Sequence, residues 1–136
     1  MSTNILTSLA TALRPGFESR VAMTVRTEQG EWLPKTWGDL HGEVSSAACA
    51  LETLGIEPQQ YIGIFSPNCP EIIVTDFAAY ANRAVPVSIY STSTPGQVAY
   101  IVNDASVRIL FVGGQAQYDA ARKAAADCPG LKQIVV

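Results

Sequence analysis

Apolar positions recur along this chain with two periods, and the switches between them mark the elements. Trp37, Leu40, Val44, Ala47, Leu51 and Leu54 follow one another at three- and four-residue steps, which predicts an amphipathic helix from Thr36 to Leu54. Thr36 with Asp39 has the form of a capping box, and Gly55 suits the helix end. Ala47, Ala48 and Ala50 are small enough to let this helix approach a sheet closely. Ile5, Leu6, Leu9 and Leu13 predict an earlier amphipathic helix over 3–14, stopped by Pro15-Gly16 and docked on protein. Between the two, residues 20–26 place Val21, Met23 and Val25 on one face, and residues 31–37 are again strand-like. With a turn at Gln29-Gly30 they form a hairpin, and Pro34 puts the second strand at an edge or ends it early.

Beyond residue 60, short apolar runs alternate with helical segments. Tyr61 to Phe65 has the length and composition of a buried strand. A turn over Ser66–Cys69 leads to a helix with Pro70 at its first position and Glu71 at its positive end. The expected core face of that helix is Ile72, Ile73, Phe77, Tyr80 and Ala81. Ala84 to Ile89 is a short, mostly buried strand. After the hydroxyl-rich turn Tyr90–Thr94 comes a helix with Thr94 as N-cap, Pro95 first and Gln97 completing the cap. Its apolar face is Val98, Ile101 and Val102, and it ends near Asn103-Asp104. Val107–Val112 is a strand, Gly113-Gly114 breaks it, and residues 115–127 form an Ala-rich helix stopped by Pro129-Gly130. Residues 131–136 begin a last strand. Strands near residues 61, 85, 107 and 132 with a helix in each gap are repeated βαβ units. The expected fold is therefore α/β: a mostly parallel sheet with helices on both faces, preceded by an N-terminal helix and a short β-hairpin.

Composition narrows the function classes. The chain has 136 residues, 48% hydrophobic and 15% charged, with a net charge of −3, which describes one globular unit and not a disordered one. Its nine Lys and Arg residues are scattered, so nucleic-acid binding is disfavoured. Three cysteines, no CxxC pair and one histidine are too few for a zinc site, and reduced thiols in the cytoplasm are the simplest reading. The first residues lack a basic region followed by an apolar run, so no signal peptide is expected. No run reaches the length of a membrane span.

Four places could carry chemistry. Ser91, Thr92, Ser93 and Thr94 at a helix start could hold an anion, but helix capping by Thr94 explains them without a ligand. Gly113-Gly114 after a strand lacks the third glycine of a dinucleotide fingerprint, so a tight turn is expected. Asp39, Glu71 and Asp76 are acids with no evident pairing. His41 lies beside an apolar stripe with no catalytic partner in view. None of these is assigned as a catalytic, cofactor-binding or metal-binding residue.

Three segments carry a family resemblance. Thr36-Trp37-Gly38-Asp39-Leu40 is similar to a segment at the start of a long helix in the AMP-forming acyl-CoA synthetases. Ile62 to Glu71, with Asn68-Cys69-Pro70-Glu71 after the strand, resembles that family's strand followed by N-x-P-E. Ala84 to Asp104, containing Pro86-Val87-Ser88-Ile89-Tyr90-Ser91-Thr92-Ser93-Thr94-Pro95, closely resembles the segment of the long-chain fatty acid–CoA ligases. Ser88 and Ser91 stand where relatives often have Pro, which implies a less rigid turn. Gly96 replaces a helix former.

The resemblance implies a ligase of two steps. A fatty acid and ATP form an acyl-adenylate and pyrophosphate, and CoA then displaces AMP, with Mg2+ required. It implies that residues 1–136 are the first sub-domain of the large adenylate-forming domain, on which the rest of the ligase packs. The glycine-rich phosphate loop, the adenine and ribose motifs and the C-terminal catalytic Lys of the family do not occur in these residues. No ATP, Mg2+ or CoA site is therefore expected in this stretch, which would act as a scaffold without activity of its own. The expected location is cytoplasmic, with peripheral membrane association and a homodimer left open. Two other readings stand beside this one. One is a standalone α/β interaction or dimerisation module. The other is a small flavodoxin-like nucleotide binder using the loops at Ser66–Cys69, Tyr90–Thr94 and Gly113-Gly114.

Overall fold

The computed structural model describes residues 16–27 and 29–136. The helix expected over 3–14 lies outside the described residues. The hairpin forms from β1 (Val21–Arg26) and β2 (Trp32–Thr36), paired antiparallel with Thr24 opposite Pro34. In a two-stranded ribbon both strands are edges, so Pro34 removes no interior ladder bond. Trp37 N–H donates to Arg20 O at 2.9 Å and ties the hairpin to the helix that follows.

That helix, α1 (Trp37–Thr53), starts on a complete capping box. Thr36 Oγ1 accepts from Asp39 N–H at 3.1 Å, and Asp39 Oδ2 accepts from Thr36 N–H at 2.9 Å. Leu40, Val44 and Leu51 are buried as the spacing predicts, while Leu54 beyond the last turn is 38% exposed.

The four strands β3 (Tyr61–Phe65), β4 (Val85–Ile89), β5 (Val107–Val112) and β6 (Gln133–Val135) form one parallel sheet in the order β4-β3-β5-β6. Connecting them are α2 (Pro70–Ala81), α3 (Pro95–Asp104) and α4 (Gln115–Ala125). The α1 and α2 helices pack together on one face, α3 and α4 on the other. Each face has its own core. Ile62 and Ile109 meet Leu51, Ala78 and Ala79 on the first. On the second, Phe65, Leu110 and Val112 meet Val98, Val102, Ala121 and Ala124. Gly63 stands between them because there is no room for more. A Cβ there would sit 2.7 Å from Leu110 Cδ1 and 3.2 Å from Val107 Cγ1.

Two expectations change. The core face of α2 is Ala78 and Ala79, both fully buried, while Ile73 is 39% exposed and Ala81 exposed. Small residues face the sheet and α1 because the helix lies close to both, and Ile72, Phe77 and Tyr80 flank that contact half-buried. Secondly, the strand read as mostly buried over 84–89 lies at the edge of the sheet formed by the described residues. Val85 N–H donates to Gln60 O, so by strand alternation the Pro86 nitrogen faces the open edge, where a missing donor costs no ladder bond.

Side-chain amides hold the layers at their ends. Asn82 Nδ2 donates to Ala48 O and to Ala78 O, both at 3.0 Å, joining α1 to α2. Asn103 Nδ2 donates to Asp127 O at 2.8 Å, joining the ends of α3 and α4.

At the start of α3 a second capping box is complete. Gln97 N–H donates to Thr94 Oγ1, and Thr94 N–H donates to Gln97 Oε1. Thr94→Ala is expected to cost about 1 kcal/mol, read as a lower midpoint in urea with an unchanged slope.

Candidate functional site

The chain leaves β3 for β4 on one side and returns to β5 on the other, so the strand order reverses between β3 and β5. In open α/β sheets ligands bind at such reversals, outside the carboxyl ends of the strands. The loops Ser66–Cys69 and Gly113-Gly114 do meet there. The two loops are tied to each other at their base. Gly113 N–H donates to Phe65 O at 3.1 Å, and Ser66 packs directly on Gly113, its Cβ only 2.8 Å from where a Gly113 Cβ would stand. Ser66 Oγ also contacts Cys69 Sγ at 3.3 Å and donates to Pro67 O at 2.8 Å.

Ser66, Pro67, Gly113 and Gly114 also line a groove of about 500 Å3 that runs on the α1/α2 face. Its floor is Ile64 of β3, Phe111 of β5 and Val135 of β6; its wall is the first turns of α2, Glu71, Ile72 and Thr75. Cys69, the residue before α2, borders it half-buried. The groove is apolar because β5 and β6 direct alternate side chains to a face that α1 and α2 cover only in part. Nothing in the chain order signals it, because it depends on how far two helices extend across four strands.

The hydroxyl cluster lies elsewhere. Thr94 is engaged in its cap, Ser93 N–H donates to Tyr90 O at 2.9 Å, and Gln117 Nε2 of α4 donates to Ser91 O at 2.9 Å. The turn expected to be loosened by Ser91 thus carries two ties, one from a helix far along the chain.

The acids are separated by role. Hydrogen bonds from the Thr36 hydroxyl and amide hold the Asp39 carboxyl below the ordinary carboxylate range. Asp39 and Glu71 share a shallow depression between α1 and α2 with Lys35, whose Nζ pairs with Glu43 at 2.7 Å. Burial alone pushes the Asp76 carboxyl up. His41 is exposed on α1. Among the described residues, no three His, Cys, Asp or Glu side chains gather in a way that could hold a metal ion.

The raised Asp76 carboxyl has a defined pH consequence. The folded state binds this proton more tightly than the unfolded chain, so Asp76 weakens the fold when ionised. Its penalty is full above the raised folded value and disappears as pH falls to about 3.9, the ordinary value. Asp76→Asn is therefore expected to raise stability at pH 7 and to lose that advantage towards pH 4, as followed by urea midpoints across pH.

Three comparisons bear on identity. A family model described as AMP-binding enzyme matches residues 14–136. Long chain acyl-CoA synthetase 1 of Arabidopsis thaliana is 35% identical over 83 residues, covering 61% of this chain and 13% of that protein. A long-chain-fatty-acid–CoA ligase of Mycobacterium bovis is 28% identical over 110 residues, covering 81% and 18%. In fold, the chain superposes on an anthranilate CoA ligase solved with anthranoyl-AMP, with a TM-score of 0.82 and 22% identity over 98% of this chain and 25% of that one. The chain spans less than a fifth of the length of the curated relatives it matches. The family model's match over residues 14–136, which takes in every described element, places this chain in the AMP-binding enzyme family.

Proposed function

We propose that residues 1–136 are the first sub-domain of an AMP-forming acyl-CoA ligase that activates a long-chain fatty acid as its adenylate and transfers it to CoA. The observation that carries this reading is the family match over residues 14–136, together with relatives named for long-chain acyl-CoA synthesis. ATP, Mg2+ and CoA are used by the whole enzyme. Within this chain the engaged cap at Thr94 and the lack of the family's glycine-rich phosphate loop in residues 1–136 support a scaffold role, with phosphate contacts made by later sequence. No catalytic step is assigned to these residues. Three unpaired thiols, Cys49, Cys69 and Cys128, fit a reducing cytoplasm.

The scaffold's task is to present surfaces to the rest of the polypeptide. Trp32 and Leu33 on β2 are 66% and 52% exposed, one on each face of the hairpin, and large apolar side chains left open in this way suit contact with later sequence.

The test is acyl-CoA formation by the longest polypeptide encoded in frame with these residues, supplied with ATP, Mg2+, CoA and fatty acids of graded length. Turnover that rises with chain length to a long-chain optimum supports the reading. Turnover confined to short or aromatic acids removes the long-chain assignment, and no adenylate with any acid removes the ligase.

A further inference from the structure

We draw no further inference here: the strongest candidate, the apolar face of the β1–β2 hairpin on which Met23 and Val25 stand beside the half-exposed Leu33, carries none, because nothing in the structure shows what covers it.

Discussion

Gly63→Val is expected to destabilise the fold by about 3 kcal/mol, the upper end of core overpacking, and to lower Tm by roughly 10 °C for a chain of this size. Gly63 sits in the middle of β3, the strand that both β4 and β5 flank. Its α-carbon faces the α3/α4 core, where a Cβ would stand 2.7 Å from Leu110 Cδ1 and 3.2 Å from Val107 Cγ1. Leu110 is itself fully buried, so its methyl has no open direction in which to swing. The mechanism predicts a coupling. Leu110→Ala alone leaves a cavity costing about 2–5 kcal/mol, but it also vacates the space that the introduced valine side chain would need. The double variant is expected to be clearly less destabilised than the sum of the two singles, as measured by urea denaturation. Simple additivity would mean that the glycine is not held there by Leu110.

Leu51→Ala is expected to cost about 3 kcal/mol, whereas Leu54→Ala, one helical step later in the same apolar stripe, is expected to cost less than about 1 kcal/mol. Leu51 is 1% exposed and packs with Ile62, Ala78 and Ala84 at the junction of α1, α2 and the sheet. Leu54 is 38% exposed beyond the last turn of α1. Urea midpoints of the two variants separate a weld between helix and sheet from a stripe that merely continues in sequence. Equal losses at both positions would place Leu54 in a contact the fold does not have.

These two leucines also show where sequence reading stops. Periodicity names the stripe but not where the neighbouring layer ends, so Leu51 and Leu54 look alike in the chain and differ in the fold. Both capping boxes were legible because each is a local bond between residues three apart. The βαβ order was legible because strands and helices differ in period. The edge position of β4 was hinted at by Pro86 but needed the pairing of Val85 with Gln60 to be read. On α2 the large apolar residues outweighed Ala78 and Ala79 in the pattern, although close approach to the sheet selects the small ones. The ties from Asn82, Asn103 and Gln117 join residues 24–34 positions apart, and no local spacing reports such bonds. The groove and the close contact of Ser66 with Gly113 belong to the same class. They arise where two loops and three strands meet, and Gly113 directly after an apolar strand was the one local sign of a close approach.

The central claim is that this chain supplies a scaffold and the chemistry comes from later sequence. ATP–pyrophosphate exchange tests it most directly, with the 136-residue chain incubated with ATP, Mg2+ and palmitate. The account predicts exchange indistinguishable from a protein-free control at every acid concentration. Acid-dependent exchange by the 136-residue chain itself would contradict it.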